Sequence, residues 1–401
     1  MGNALYLARA LEQALGGALP VGVRTWDGGS AGPGTGPVVV LNNRRALRRL
    51  LWRPGELGLA RAYVTGDLDV DGDIKDGLRR CWAAVRDGGI TRPDVLGLAR
   101  LAALAVRLGV AGPPPRPPAQ EARLTGRLHA LGRDRAAISH HYDLGNDFYE
   151  LILDEHMAHS CGWFDSAATT LEQAQRVKLD MVCAKLRLSP GVRLLDVGCG
   201  WGSLVLHAAR EYGAKATGVT ISRQQHDFVT ARARAQGLDH LVTVRLQDYR
   251  QADDGPYDAV SSIEMGEHVG ETRYPTYVRT LHRNLKAGGR LVLQQMSRGR
   301  VAPGGGAFIE SYIAPDMTMR PLHATLAHLT GAGFEIRDVV AMREHYVRTI
   351  DAWAATLEER WGEVVARVGV GWARVWRLYL AGAALAFEEN RMGVDQITAV
   401  A

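Results

Sequence analysis

A run of glycines follows an apolar segment near the middle of this 401-residue chain. Residues 192–197 read Val-Arg-Leu-Leu-Asp-Val, and Gly198, Gly200 and Gly202 come directly after them. The pattern predicts a buried strand and a tight turn, because glycine leaves no side chain where a ligand must meet the backbone. A helix that starts at such a turn presents free N–H groups, which favours a nucleotide-like ligand.

The spacing of these glycines argues against NAD. The dinucleotide fingerprint needs a third glycine three residues after the second, and an acid about 20 residues further on. Ser203 and Thr220 hold those places. The Asp-x-Gly-x-Gly-x-Gly form instead resembles the first motif of the S-adenosylmethionine (SAM) methyltransferases. An ordinary strand-to-helix turn without a ligand is the alternative.

Strands and helices are predicted to alternate around this motif. The predicted strands are 192–197, 216–219, 242–246, 257–262 and 290–294, and the predicted helices between them are 203–212, 223–236 and 274–285. This order is typical of an α/β fold with a doubly wound parallel sheet, which binds ligands at the carboxyl ends of its strands. Five residues fall at or just after those ends and are predicted to face one crevice: Gly200, Thr220, Asp248, Glu267 and Gln294.

Charge and cysteine content narrow the class of protein. The formal charge is +5, and the basic residues are spread along the chain without the runs of a nucleic-acid tail. We therefore expect no nucleic-acid partner, whereas an anionic membrane surface fits the mild excess of positive charge. The four cysteines lack the spacing of metal ligands and are too few for a disulfide scaffold, which favours a reducing cytosol and no metal.

The N-terminal part of the chain carries no signal for secretion or membrane insertion. Residues 1–19 include Arg9 and Glu12 within their apolar pattern, unlike a signal peptide. The most apolar window, 95–110, is too short to span a bilayer and contains Arg100 and Arg107. We expect a cytoplasmic protein whose contact with the membrane is peripheral.

A proline-rich segment marks a boundary between domains. Residues 112–118 read Gly-Pro-Pro-Pro-Arg-Pro-Pro, which favours an extended, stiff linker. We predict a first domain at 1–111, a linker at 112–122 and a catalytic domain at 123–401. Within the first domain, alternating acids from Asp67 to Asp73 lack the glycine position and closing glutamate of a calcium loop, and a strand edge explains them better.

Two signals just before the glycine motif concern local structure. Residues 138–149 are polar and aromatic, which is typical of a segment that covers a site, although adjacent His140 and His141 cannot converge on one metal ion. Thr169 and Glu172 form a predicted capping box for a helix that starts at residue 170.

Several separated motifs together resemble one family. The chain is similar to the cyclopropane-fatty-acyl-phospholipid synthases, SAM-dependent methyltransferases that include the mycolic acid cyclopropane synthases, over essentially its whole length. The matching segments are 58–73, 141–148 (HYDLGNDF), 160–161 (SC), 195–202 (LDVGCGWG), 218–225 (GVTIS with a later Gln), 247–249 (QDY), 267–270 (EHVG) and 346–353. The resemblance implies a class I SAM-methyltransferase fold, with a smaller N-terminal α+β domain that docks on lipid and with helical additions.

The resemblance also implies which residues form the site. SAM would be held by Ser160, Gly198, Gly200, Thr220, Ile221, Gln225 and Asp248. Catalysis would involve Cys161, Glu267, Tyr346 and Gln294. In enzymes of this family a bound bicarbonate takes a proton from a carbocation. The resemblance implies that Cys161, Glu267 and Tyr346 match the ligands of that bicarbonate. Tyr142 and Trp163 are aromatic faces that favour the cation.

Two residues depart from the family's pattern. Gln294 stands where the family has a histidine, and Ala383 stands where it has a cysteine. A glutamine amide donates a hydrogen bond but cannot take up a proton as a histidine does, so the role of bicarbonate is open. The expected reaction adds a one-carbon unit from SAM to a cis double bond of an unsaturated phospholipid acyl chain, with a cyclopropane as product.

Other readings remain open at this point. Relatives that methylate the same alkene without closing a ring give methyl or methylene branches. A methyltransferase for a polar small molecule would explain the sheet, and a lipid-binding protein with a decayed site would explain Gln294 and Ala383. A homodimer is a further expectation.

Overall fold

The computed structural model describes residues 2–89, 95–122, 126, 132–133, 144–299 and 306–401. The chain divides into two compact units. The first comprises Met1–Glu121, Gly306–Phe308 and Val368–Leu385, so it includes the predicted linker and a segment from near the C-terminus. The second comprises Ala122–Gly305, Ile309–Arg367 and Ala386–Ala401.

The first unit is built on a small mixed sheet. Its strands are β1 (Gly22–Arg24), β2 (Ser30–Ala31), β3 (Val38–Leu41) and β4 (Leu68–Asp71), in the order β2-β1-β3-β4. Its helices are α1 (Asn3–Leu15), α2 (Arg45–Trp52), α3 (Glu56–Val64), α4 (Ile74–Gly88) and α5 (Val95–Arg107).

Asp67 organises the polar interior of the first unit. Its side chain is almost fully buried, and it accepts hydrogen bonds from Arg49 Nε at 2.8 Å, Arg45 Nε at 3.1 Å, Asn43 Nδ2 at 2.9 Å and the Thr65 hydroxyl at 2.9 Å. These donors occupy the Asp67 carboxylate. Asp69 and Asp71 lie in β4, and Asp73 caps α4 by accepting from the Asp76 N–H at 3.0 Å, so each acid at 67–73 has a structural place. Nowhere in the described ranges do three or more metal-ligating side chains form a group that could hold an ion.

The second unit contains a seven-stranded sheet in the order β10-β11-β9-β8-β5-β6-β7. The strands are β5 (Arg193–Val197), β6 (Lys215–Thr220), β7 (Val242–Leu246), β8 (Tyr257–Ile263), β9 (Leu285–Arg298), β10 (Glu335–Ala341) and β11 (Met392–Val400). The first five are parallel, as predicted, and β11 and β10 add an antiparallel edge that the sequence analysis missed.

Helices cover both faces of this sheet. The helices that lie wholly in the second unit are α6 (Asn146–Ile152), α7 (Leu171–Lys185), α8 (Ser203–Tyr212), α9 (Arg223–Ala235), α10 (Tyr274–Arg283), α12 (Leu322–Gly331) and α13 (Arg343–Glu359). Two further helices have residues in both units: α11 (Ala307–Tyr312) and α14 (Trp361–Glu388), the latter interrupted at Gly369. Leu194 packs in the core beneath α7 and α8, whereas Leu195 packs in the core beneath α10. This division follows from the two-residue period of a strand.

The capping box at the start of α7 lies one residue later than predicted. The Thr170 hydroxyl accepts from the Gln173 N–H at 3.3 Å, and Gln173 Oε1 accepts from the Thr170 N–H at 3.0 Å. Thr169 instead accepts from the Ser166 N–H at 3.1 Å. The predicted pair of Thr169 and Glu172 is therefore wrong, because two consecutive threonines offer two registers of the same motif.

The polar centre at Asp67 gives a stability prediction. We expect Asp67→Ala to destabilise the first unit by about 3–5 kcal/mol, because it leaves the buried Arg49 guanidinium without its counter-charge. Hydrogen exchange of the peptides that contain β3 and β4, followed by mass spectrometry, should then be faster by on the order of a hundredfold. The matched variant is Asp71→Ala, because the Asp71 side chain is 62% exposed and pairs with Arg24 at the surface. Equal exchange in the two variants would contradict the role of Asp67.

Candidate active site

A cavity opens at the carboxyl ends of β5, β6 and β8 in the second unit. It contains about 1240 Å³ of empty space, counted out to its open mouth. All seven residues predicted to hold SAM line it: Ser160, Gly198, Gly200, Thr220, Ile221, Gln225 and Asp248. The structure thus brings together residues from four separate motifs, and their role in binding SAM remains a prediction.

The three positions of the central motif require glycine for different structural reasons. All have positive φ, at +83° for Gly198, +54° for Gly200 and +79° for Gly202. A Cβ atom at Gly198 would lie 2.6 Å from Met265 Cγ, and one at Gly202 would lie 2.5 Å from Val229 Cγ1. At Gly200 the same position is open. Gly198 and Gly202 therefore permit close packing, whereas Gly200 leaves backbone accessible to a ligand in the cavity.

The polar side chains on the β6 and β7 side of the cavity hold one another in place. The Thr220 hydroxyl donates to Gln225 Oε1 at 2.8 Å and accepts from the Ser222 N–H at 3.1 Å. The Asp248 carboxylate accepts from Arg250 Nε at 2.7 Å and from Arg250 Nη2 at 2.8 Å. These contacts present hydroxyl, amide and carboxylate groups to a polar ligand without rearrangement.

Lys178 is a site residue that the sequence analysis missed. It lies in α7, is 1% exposed, lines the cavity, and donates from Nζ to Ser160 Oγ at 2.8 Å. Burial lowers its pKa, and the carboxylates of Glu264, Asp154 and Asp196 act in the opposite direction. The sequence signal for Lys178 was its spacing, because it lies four residues after Ala174 and four before Val182 on the buried face of the helix.

Asp196 lies directly before the glycine turn and also faces the cavity. Its carboxylate accepts from the Ser261 hydroxyl at 2.7 Å. Burial raises the pKa of Asp196 to about 6, although the Ser261 hydrogen bond and the charge of Lys178 lower it. The site therefore contains a buried cation and a buried acid on opposite elements, α7 and β5.

Three of the four predicted catalytic residues converge on a side chain that was not predicted, Glu264. Its Oε1 atom accepts from the Cys161 backbone N–H at 2.9 Å and from Gln294 Nε2 at 2.9 Å. Its Oε2 atom accepts from the Tyr346 hydroxyl at 2.6 Å. Glu264 is half-buried and lines the cavity. Burial raises its pKa, and these three hydrogen bonds lower it.

The position of Glu264 is fixed by its surroundings. Its φ of +51° lies in the left-handed region, which costs a residue with a Cβ atom about 1–2 kcal/mol. The amide of Gln294 is oriented by Gln396, whose Nε2 donates to Gln294 Oε1 at 3.0 Å. Burial raises the pKa of the Cys161 thiol well above its usual range, so this residue contributes its backbone amide and not a thiolate.

Glu267, the fourth predicted catalytic residue, makes different contacts. It is 1% exposed, its Oε1 accepts from the Met296 N–H, and its Oε2 has no hydrogen-bond partner among the described residues. Burial raises its pKa to about 8, with a further contribution from the negative charge of Glu264. At neutral pH Glu267 is therefore a neutral acid beside the Glu264 group.

Of the two aromatic residues expected at the site, Trp163 is not among the residues that line the cavity. Trp163 stacks on His345 with ring centroids 4.0 Å apart, and its indole N–H donates to Asp165 at 2.8 Å. Tyr142, together with His140 and His141, lies outside the described residues. The cavity lining contains Trp201 and Tyr249, together with His159 and His268. Burial lowers the pKa of both histidines to about 4, so both are neutral at physiological pH.

Known proteins resemble this chain in sequence. The profile of the family described as mycolic acid cyclopropane synthetase matches residues 129–397. A protein of Mycobacterium tuberculosis described as "Probable fatty acid methyltransferase" is 38% identical over 96% of this chain and 91% of its own length. The cyclopropane-fatty-acyl-phospholipid synthase of Escherichia coli is 36% identical over 64% of this chain and 65% of its own length.

A solved structure has the same fold as the second unit's sheet and helices. The mycolic acid cyclopropane synthase CmaA1, complexed with S-adenosylhomocysteine (SAH) and CTAB, aligns with a TM-score of 0.63 and 30% identity. The alignment covers 67% of this chain and 98% of that one.

The glycine turn gives a prediction for ligand binding. We expect Gly198→Ala to raise the dissociation constant of SAH at least tenfold, because the new Cβ displaces Met265 from the cavity wall. The matched control is Gly191→Ala, which has the same φ of +83° but open space around its Cβ. Isothermal titration calorimetry should show nearly unchanged affinity for the control. Equal losses in both variants would mean that backbone strain, and not the contact with Met265, matters at Gly198.

Glu267 gives a prediction for the dependence of stability on pH. Its pKa is about 8 in the folded protein and near the ordinary value of 4.5 in the unfolded chain. The protonated acid therefore stabilises the fold fully below about pH 4.5, and this contribution is lost as the pH rises through about 8. We expect the thermal midpoint of Glu267→Gln minus that of the unmodified protein to increase between pH 5 and pH 9, as measured by calorimetry.

The control for this pH series is Glu172→Gln, at an exposed position at the start of α7. Its midpoint should follow that of the unmodified protein at every pH. A constant difference between Glu267→Gln and the unmodified protein across the series would contradict a raised pKa for Glu267.

Proposed function

Because the chain belongs to the mycolic acid cyclopropane synthetase family of SAM-dependent methyltransferases, we propose that it methylates the cis double bond of an unsaturated phospholipid acyl chain and forms a cyclopropane. The observation that carries this proposal is a cavity lined both by the seven predicted SAM residues and by a half-buried carboxylate held by three hydrogen-bond donors.

The residues at the cavity fit SAM. The open backbone at Gly200 admits the ligand, the carboxylates of Asp196 and Asp248 suit its ammonium group and ribose hydroxyls, and Lys178 with Ser160 suits its carboxylate. When bound, SAM supplies a methyl group on a sulfonium, which is electrophilic. The chain itself must position that methyl group, exclude water and accept a proton.

The remaining wall of the cavity suits an alkene. An alkene is a weak nucleophile, and its attack on a methyl group leaves a carbocation that water would trap. Apolar side chains cover much of the wall, namely Leu179, Val182, Ile263, Met265 and Val269. The neutral imidazoles of His159 and His268 place no positive charge beside a cation, and the face of Trp201 attracts one.

Methylation without ring closure is the second candidate reaction. Two relatives that match more than nine-tenths of this chain are described as "Probable fatty acid methyltransferase", and Gln294 replaces a titratable residue of the family's pattern. In both a cyclopropane and a methylene branch, the intermediate loses one proton. The same set of residues therefore serves either product, and the product must be measured.

We further propose that the first unit contacts the membrane surface that holds the substrate. Two exposed apolar side chains, Leu51 and Trp52, end the basic helix α2 and precede Arg53. This combination of apolar and basic groups suits an anionic lipid surface. Of the helices that the structure describes, none is long and apolar enough to cross a bilayer. The expected homodimer stays a prediction.

The reaction can be tested with the purified full chain, SAM carrying a trideuterated methyl group, and vesicles of dioleoyl phosphatidylglycerol. We expect released fatty acids that are heavier by one carbon unit and that keep two of the three deuterium atoms, as measured by mass spectrometry. A cyclopropane resists mild hydrogenation, whereas a methylene branch is reduced.

Vesicles of distearoyl phosphatidylglycerol are the matched control, because they have the same head group but no alkene. Retention of all three deuterium atoms would mean that the proton was lost from the acyl chain and not from the transferred methyl group, and would contradict ring formation. If SAH binds but no lipid product forms from any monounsaturated vesicle, the chain does not methylate phospholipid alkenes and a small-molecule substrate becomes the better explanation.

A further inference from the structure

The residues in this chain do not fit the bicarbonate that the family resemblance implies. A bound bicarbonate would need hydrogen-bond donors, and two of the ligands assigned to it, the Cys161 N–H and the Tyr346 hydroxyl, could supply them. Both donate instead to Glu264, at 2.9 and 2.6 Å, and the amide of Gln294 does so at 2.9 Å. A second anion beside the Glu264 carboxylate would bring two negative charges together in a buried place.

We propose that the carboxylate of Glu264 is the chain's own proton acceptor and makes bicarbonate unnecessary. This inference rests on the proposed function, because it assigns a residue to the proton-loss step of alkene methylation. It differs from that proposal in naming a base that is covalently part of the chain.

The geometry of Glu264 suits this role. An ionised carboxylate has about four lone-pair sites, and the described residues supply three donors, two to Oε1 and one to Oε2. A free site therefore remains on Oε2, in a residue that lines the same cavity as the predicted SAM residues. A carboxylate that accepts three hydrogen bonds and still lines the cavity is positioned to accept a proton from a substrate bound there.

Glu264 has more groups that stabilise a carboxylate than Glu267 has. Burial raises the pKa of Glu264, and its three hydrogen bonds and the cation of Lys178 act against that rise. Glu267 makes one hydrogen bond through Oε1 to the Met296 N–H, and its Oε2 is unpaired within the described part of the chain. Of the two acids, Glu264 is therefore the one that carries the negative charge.

The backbone indicates that a carboxylate at position 264 is not incidental. The φ of +51° is one that glycine adopts freely and glutamate does not. Strained residues persist where the surrounding structure fixes them, and they cluster at functional sites. Here three hydrogen bonds to the Glu264 side chain hold the residue in this conformation.

The step balances without a further reactant. The alkene's π electrons form the new carbon–carbon bond, and the carbon–sulfur bond breaks with its electron pair going to sulfur. A C–H bond of the transferred methyl group then gives its electron pair to the cationic carbon, which closes the ring. The proton passes to Glu264 Oε2, and the resulting carboxylic acid must release it to water before the next turnover.

The decisive variant is Glu264→Gly, which relaxes the backbone and leaves a space lined by three unpaired donors. We expect turnover of dioleoyl phosphatidylglycerol to fall by about a hundredfold or more. Added sodium formate or bicarbonate should restore it at least tenfold, because a small anion can occupy the vacated space. The isosteric Glu264→Gln should lose activity without rescue, because its amide fills that space.

Three measurements separate this inference from the proposed function. The unmodified protein should keep its activity in buffer freed of carbon dioxide, and each variant should bind SAH within about threefold of the unmodified protein. Binding of ¹³C-bicarbonate, followed by NMR, should be detected for Glu264→Gly and not for the unmodified protein. This last readout needs no lipid product.

Some outcomes would overturn the role of Glu264. They are bicarbonate dependence of the unmodified protein, full activity of Glu264→Gly without added anion, or loss of activity in both variants with intact SAH binding and no rescue. If the unmodified protein forms no lipid product while the ¹³C-bicarbonate result is as expected, the proposed function fails. The inference that the Glu264 carboxylate occupies the place of bicarbonate is then still supported.

Discussion

The assembly of the site in the second unit depends on which hydrogen-bond donors meet one carboxylate, that of Glu264. A buried carboxylate is costly unless donors meet it, and here the donors come from three segments far apart in the chain. Cys161 is 103 residues before Glu264, Gln294 is 30 after it and Tyr346 is 82 after it. Only the folded sheet brings these segments together, so the order of the strands and the assembly of the site are one problem.

The antiparallel edge of the sheet solves part of that problem. β11 pairs with β9 so that Gln396 lies opposite Gln294, and its amide fixes the orientation of the Gln294 amide. The Met342 N–H donates to the Val394 carbonyl of β11 at 2.8 Å, directly before α13 begins. α13 then holds the Cys161 loop, because the Thr349 hydroxyl accepts from the Gly162 N–H at 3.0 Å. The edge strands thus position two of the three donors and steady the third.

Sequence reasoning reached the parts of the site that follow from general rules. The rule that ligands bind at the carboxyl ends of parallel strands predicted Gly200, Thr220 and Asp248, which line one cavity. The family resemblance, and not a general rule, supplied Ser160, Gly198, Ile221 and Gln225, which line the same cavity. The same rule applies to Glu264, which directly follows Ile263 at the end of β8, and it could have found this residue before Glu267. Gln396 and the register of β11 could not be found that way, because antiparallel pairing over about a hundred residues leaves no local pattern.

The glutamine at position 294 and the carboxylate of Glu264 fit each other in this arrangement. A histidine at position 294 could exchange a proton with a mobile anion, whereas a glutamine can donate but cannot titrate. When the acceptor is the chain's own carboxylate, a titrating neighbour is not required, and a neutral donor with one fixed orientation is sufficient. Gln396 gives Gln294 that orientation, and Glu264 receives the hydrogen bond at 2.9 Å. A substitution that weakens a bicarbonate site is therefore consistent with a site in which the base is built in.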